Sequence, residues 1–174
     1  MSKSIKLFIT DIDGVWTDGG MYYDEKGNEF KKFNTADSAG VLFCRLLDIE
    51  VAIMTGENVN SVRRRAEKLK IKHYFPAAKN KLTLAKNLCK ELNITLEEVA
   101  FIGDDINDIL LLKEVGYSGS PKNAPDYVKK HVQVITEKSG GEGAFREFVE
   151  TWLKQENLLD VALDKYFEKL EFKQ

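Results

Sequence analysis

Along the chain, short apolar runs alternate with longer segments whose apolar residues recur at helical spacing. Lys6 to Thr10 (KLFIT) runs straight into Asp-Ile-Asp-Gly and reads as a buried strand entering a loop. Met21 to Tyr23 and Glu29 to Phe33 flank a polar turn containing Gly27, the signature of a hairpin. Ala36 to Leu47 is helical in spacing, Val51 to Met54 is a second buried strand ending at Thr55-Gly56, and Val59 to Leu69 is a charge-rich helix. A short strand at Tyr74 and Phe75 precedes a helix from about Asn80 to Leu92, and Thr95 to Glu98 is a capping box. Val99 to Ile102 is a third buried strand, ending at Gly103-Asp104-Asp105. A helix over Ile106 to Val115 is expected to stop at Gly116. A weak strand at Tyr117 and Ser118, a short helix after Pro125, a strand over Val132 to Ile135, a glycine-rich loop from Ser139 to Gly143 and two helices, Ala144 to Lys154 and Leu158 to Leu170, complete the pattern.

Strands alternating with helices predict an α/β fold: a doubly wound parallel sheet, with the hairpin as the one break in the alternation. The expected organisation is one domain over residues 1–174, with the hairpin insertion at about 16–33 and a helical C-terminal extension at about 155–174. There is no internal repeat, low-complexity segment or long linker.

Composition narrows the function. A chain of 174 residues, 43% hydrophobic and 31% charged, can bury a full core. Its net charge of −2 argues against a generally basic surface for nucleic acid. Cys44 and Cys89 sit in helix-like apolar patterns and form no C-x-x-C pair, so both read as reduced core residues. Met1 to Lys6 lacks the apolar stretch of a secretion signal, and no apolar run is long enough to span a bilayer. The expectation is a cytoplasmic protein with no membrane and no nucleic-acid partner.

Three buried strands end in reactive residues: Asp11 and Asp13, then Thr55, then Asp104 and Asp105. In an open parallel sheet, ligands bind beyond the carboxyl ends of the strands, so these ends should converge. Crowded carboxylates are costly unless a cation neutralises them, and hard oxygen ligands suit Mg²⁺. One carboxylate can then attack phosphorus while the other handles protons.

Asp11-Ile12-Asp13-Gly14-Val15 resembles the D-x-D-G-[TV] signature of the haloacid dehalogenase superfamily of phosphatases. Thr55-Gly56, a lysine at Lys81 or Lys79, and Gly103 to Asp108 (GDDIND) match its other motifs in order. The resemblance implies that Asp11 is the nucleophile and Asp13 the acid–base group, which also binds metal through its carbonyl. It implies Asp104 as the third metal ligand, Asp105 and Asp108 as residues orienting those ligands, and Thr55 and Lys81 as holders of phosphoryl oxygens.

The roughly twenty residues after Asp13 leave no room for a large cap domain, and oligomerisation is the simplest way to shield such a site. DIDGVWTDGG from Asp11, Phe33 to Gly40 (FNTADSAG) and Gly140 to Glu147 (GGEGAFRE) resemble the 3-deoxy-D-manno-octulosonate 8-phosphate phosphatases and relatives acting on nine-carbon sugar acid 9-phosphates. That resemblance implies a small sugar acid phosphate as substrate and a homotetramer built by the hairpin. Expected substrate contacts are Asn34, Thr35, Ser38, Gly56, Glu57, Arg63, Arg64 and Lys68. The arginine cluster Arg63 to Arg65 suits an anionic substrate. Glu57 stands where the octulosonate enzymes commonly carry arginine, and its pairing with Lys68 resembles the nine-carbon branch; the eight-carbon substrate is the commoner among freestanding chains. A non-catalytic partner of a sugar-nucleotide enzyme and a phosphate-receiver domain are the competing readings. Retention of the acidic residues and lysine disfavours the first, and the DxDG order and hairpin disfavour the second.

Overall fold

The computed structural model describes residues 4–171; the first three residues of the expected leader-free N-terminus and the last three of the C-terminal extension lie outside them. Among the described residues, eight strands and seven α-helices follow in order: β1 (Leu7–Thr10), β2 (Tyr22–Tyr23), β3 (Glu29–Phe30), α1 (Asp37–Leu46), β4 (Glu50–Met54), α2 (Asn60–Lys68), β5 (His73–Phe75), α3 (Lys81–Leu92), β6 (Val99–Ile102), α4 (Ile109–Leu112), β7 (Tyr117–Ser120), α5 (Asp126–Lys129), β8 (Val134–Ile135), α6 (Ala144–Gln155) and α7 (Leu159–Glu171). Six strands form one parallel sheet in the order β5-β4-β1-β6-β7-β8, and β2 and β3 form the separate antiparallel hairpin.

The sheet is parallel because each crossover carries a helix, which covers both faces and makes the central strands β1, β4 and β6 predominantly apolar. β1 shows this directly. Leu7 and Ile9 face the core under α3 and α4, and Phe8 faces the core under α1, α6 and α7. Phe8 meets Phe148 and Trp152 edge-on, with ring centroids 5.8 and 5.6 Å away. Cys44 and Cys89 are buried free thiols in these two cores. The chain leaves β1 to wind outward through β4 and β5, then returns to β6 on its other side. β1 is thus the topological switch point, where the crevice of such a sheet opens.

The expected helix over Ile106 to Val115 is shorter than its apolar spacing suggests. A 3-10 turn occupies Ile106–Asp108 and only Ile109–Leu112 is α-helical. The cause is Asp108, whose carboxylate folds back onto the amides of Asp104 and Asp105 and tightens the first turn. Gly116 serves a different purpose from a left-handed cap: a Cβ there would lie 1.9 Å from the carbonyl oxygen of Glu97. β7 runs two residues further than expected, to Ser120, and β8 begins two residues later, at Val134.

Asp37, fully buried at the start of α1, ties that helix to α6 by accepting the Arg146 amide at 3.1 Å. Burial pushes its carboxyl up to about 6, opposed by bonds from the Arg146 and Phe145 amides and by the charges of Arg65 and Lys138. The folded value lies above the unfolded one, so the group's contribution to stability is complete at low pH and is lost as pH rises through about 6. Asp37→Asn keeps the Oδ1 acceptor and cannot ionise. Relative to wild type it should gain up to about 3 kcal/mol in urea unfolding between about pH 4 and about pH 7.5. A difference independent of pH would show that Asp37 does not carry this linkage.

Candidate active site

The site begins where β1 ends. The Asp11 amide still bonds the Ile102 carbonyl of β6 at 3.1 Å, and then the chain turns tightly, with the amides of Val15, Trp16 and Thr17 all on the Ile12 carbonyl. Gly14 makes this turn with a φ of +80°, and a Cβ on it would fall 1.9 Å from Asp104 Oδ2. Only glycine therefore lets the turn lie against the acidic loop after β6. Trp16, buried, stacks on Phe145 at 5.1 Å and donates its indole N–H to Thr10 Oγ1 at 2.9 Å.

The glycine-rich segment braces this turn rather than hanging free. The Gly141 amide bonds the Val15 carbonyl at 3.0 Å, Asn123 Oδ1 accepts the Gly140 amide at 2.9 Å, and Asn34 Nδ2 donates to the Gly141 carbonyl at 3.0 Å. A Cβ on Gly140 would lie 1.9 Å from the Gly14 carbonyl oxygen. Asn34 and Asn123 are thus structural clamps on the loop that carries Asp11 and Asp13.

Lys81, the first residue of α3, is 1% exposed and reaches Asp11 Oδ2 at 2.8 Å and Asp108 Oδ1 at 2.6 Å. That geometry separates it from Lys79, which is exposed. Burial works against the Lys81 ammonium, but the charges and hydrogen bonds of Asp11 and Asp108 outweigh it and hold its pKa above the ordinary lysine value. For Asp11, burial and the Asp108 carboxylate raise the pKa more than Lys81 lowers it. Ile12's amide donates to Asp11 Oδ1 at 2.7 Å and fixes the carboxylate's orientation.

One ammonium does not balance this cluster. Oxygens of Asp11, Asp104 and Asp108 lie within 4.8 Å of one another. Asp104 Oδ1 is buried with no hydrogen-bond partner among the described residues. Burial, then the charges of Asp11, Asp108 and Asp105, push the Asp104 carboxyl up to about 8. Asp108 is already committed, to Lys81 through Oδ1 and to the Asp104 and Asp105 amides through Oδ2 at 2.9 and 3.2 Å. Oxygen donors with surplus negative charge suit a hard divalent cation, and Asp11 and Asp104 are the carboxylates with capacity to hold it.

Asp13, two residues on, turns its carboxylate to Lys31, whose Nζ lies 2.7 Å from Asp13 Oδ1 and 3.0 Å from Glu29 Oε1. Burial opposes the Lys31 charge, yet its bonds to these two carboxylates raise its pKa overall. Sequence reasoning missed Lys31, since one of two adjacent hairpin lysines carries no local signal. A cleft of about 330 Å³ opens over the cluster, lined by Asp11, Asp13, Gly14, Gly19, Gly56, Glu57, Asp104, Asp105 and Asn107. Thr55 is buried at the end of β4, its Oγ1 facing the Glu57 amide at 3.4 Å. Asp105 caps the following turn and accepts a hydrogen bond from Tyr127 at 3.2 Å.

The remaining expected substrate contacts lie elsewhere. Thr35, Arg63, Arg64 and Lys68 are exposed and do not line the cleft. Ser38 Oγ accepts a 2.8 Å hydrogen bond from Arg65, which also lies over the Phe33 ring, so that arginine is engaged within its own chain.

The fold and the strand-end acidic cluster define a haloacid dehalogenase-like hydrolase, and the model of that family matches residues 73–147. The 3-deoxy-D-manno-octulosonate 8-phosphate phosphatase of Haemophilus influenzae is 39% identical over 145 residues, covering 83% of this chain and 81% of its own. Its counterpart in Escherichia coli K12 is 36% identical over 92% of this chain and 86% of its own. The structure of the same enzyme from Moraxella catarrhalis, in complex with magnesium ion, phosphate ion and KDO, superposes with a TM-score of 0.90 at 37% identity, covering 95% of each chain. The chain belongs to the 3-deoxy-D-manno-octulosonate 8-phosphate phosphatase family.

A cation that neutralises this acidic cluster should stabilise the fold whether or not substrate turns over. Added Mg²⁺ should raise the melting temperature, with stabilisation approaching about 2.7 kcal/mol at a hundredfold excess over Kd. Asp104→Asn should remove most of that shift. A full magnesium-dependent shift in the variant would place the cation elsewhere.

Proposed function

We propose that the chain is a magnesium-dependent phosphatase that hydrolyses 3-deoxy-D-manno-octulosonate 8-phosphate to the free sugar acid and phosphate. The observation that carries this is the Asp11 carboxylate at the end of β1, held by a buried lysine at 2.8 Å beneath an acidic cleft, in a chain so similar to these enzymes. Asp11 attacks phosphorus and the bond from phosphorus to the sugar oxygen breaks, leaving an aspartyl phosphate. Asp13 protonates the departing oxygen, then takes a proton from the water that releases phosphate and regenerates Asp11. Lys81 and Thr55 hold phosphoryl oxygens and offset charge that grows in the transition state. Asp11, Asp104 and the Asp13 carbonyl would hold Mg²⁺, which supplies positive charge to carboxylate and phosphoryl oxygens. Asp105 and Asp108 act by fixing the loop that presents Asp104.

A second reading keeps the chemistry and lengthens the substrate to a nine-carbon sugar acid 9-phosphate. Its support is Glu57, which lines the cleft where a sugar tail would lie. Comparing kcat/KM on the two sugar acid phosphates decides between them, and a preference of tenfold or more for the nine-carbon compound, about 1.4 kcal/mol, would overturn the octulosonate assignment. Asp11→Asn should lower kcat on either by several orders of magnitude with the fold intact. Activity retained within about tenfold would remove Asp11 as nucleophile and reopen the non-catalytic reading.

We read the chain as one phosphatase domain whose sole insertion is the hairpin, acting in the cytoplasm. Among the described residues no helix is long and apolar enough to cross a membrane. The hairpin supports a homotetramer: Met21, Tyr22, Tyr23 and Phe30 are all exposed on it, more apolar surface than two short strands can bury alone. Replacing Tyr23 and Phe30 by serine should yield smaller species in sedimentation, with lower activity on the sugar acid phosphate. A wild type that sediments as a fully active monomer at nanomolar concentration would refute the assembly.

A further inference from the structure

We propose that Lys31 is a positioning residue for the acid–base carboxylate of Asp13, so that the hairpin takes part in the proton-transfer step. The inference rests on the phosphatase reading above. Lys31 follows β3, and its side chain is 0% exposed. A buried ammonium must be paired, and this one has two carboxylates, Asp13 Oδ1 at 2.7 Å and Glu29 Oε1 at 3.0 Å. The Met21 sulfur, from the opposite side of the hairpin, lies 3.6 Å from the same Nζ. Asp13 itself sits in a glycine-flanked turn and is half-buried, with 27% of its side chain exposed.

The consequence is geometric. A charge-assisted bond to Oδ1 fixes the rotation of the Asp13 carboxyl and leaves Oδ2 as the oxygen able to face a leaving group or a water. Glu29, in β3, holds the same ammonium at 3.0 Å, so the position of the Asp13 carboxyl follows that of the hairpin. Lys31 is absent from the walls of the cleft and lies too deep to meet substrate. It acts through Asp13 or not at all.

A positioning role for a general acid leaves a signature that a structural role does not. A basic leaving oxygen needs its proton and a weakly basic one does not, and kcat/KM reports the steps up to its departure. The test compares wild type, Lys31→Met and Lys31→Arg at saturating Mg²⁺ on p-nitrophenyl phosphate, phenyl phosphate and the octulosonate phosphate. Lys31→Met should lose less than about threefold, about tenfold and about 100-fold in that order. Lys31→Arg, which keeps a charged donor, should recover about tenfold on the last. Equal losses along the series would make Lys31 a structural residue and overturn the proposal. So would a loss confined to the sugar substrate with the two aryl phosphates alike, since that pattern means contact with the sugar. If Lys31→Met does not fold by its melting curve, Lys31→Gln, one bond shorter than lysine but with a neutral donor, must show the same rising order. Failure of the wild type on all three substrates would instead overturn the phosphatase reading.

Discussion

A carboxylate taken out of bulk water at the end of β1 needs an opposite charge beside it, and the contact between Lys81 and Asp11 offsets part of the cost of that burial. The ammonium is buried and shared between Asp11 and Asp108 at 2.8 and 2.6 Å. Removing one partner of such a buried set costs on the order of 3–5 kcal/mol, because it strands the others without compensation. Asp108 then reaches back to the amides of Asp104 and Asp105, so the same interaction shapes the acidic loop. The short turn after β6 and the surplus charge on Asp104 both follow from it.

Close backbone approach is the second requirement. The β1 turn, the acidic loop and the glycine-rich segment stack so tightly that Gly14 and Gly140 have no space for a Cβ. Asn34, Asn123 and Trp16 secure that stack through bonds to Gly141, Gly140 and Thr10. The carboxylates therefore ride on a rigid platform, as differential stabilisation of a transition state requires. The hairpin, by contrast, keeps Tyr22, Tyr23 and Phe30 on the surface and sends Lys31 inward, paired with Glu29. The Lys31–Asp13 ion pair ties it to the platform.

Much of this was legible in the residues alone. The alternation of apolar runs and helical spacing placed a strand at each position of the parallel sheet, most clearly at β1, β4 and β6, where burial on both faces leaves an apolar run, and more weakly at β5, β7 and β8. The strand-end carboxylates followed from where ligands bind such sheets, which brought Asp11, Asp13, Thr55 and Asp104 to one place before any coordinates. Local spacing failed at Ile106 to Val115, where a helical apolar pattern lost to the tertiary demand on Asp108.

What the sequence by itself determined is whatever depends on neighbours in the chain: element type, strand ends, the capping box at Thr95 and the acidic motifs. Only the tertiary structure decided between Lys79 and Lys81, since two lysines two positions apart differ solely in which one points into the crevice. It alone brought Lys31 to Asp13 across 18 positions, turned the glycine-rich segment into a brace, and left Arg63, Arg64 and Lys68 on the surface. Such contacts join residues far apart in sequence, and the burial that makes a charge choose its partner exists only once the chain has folded.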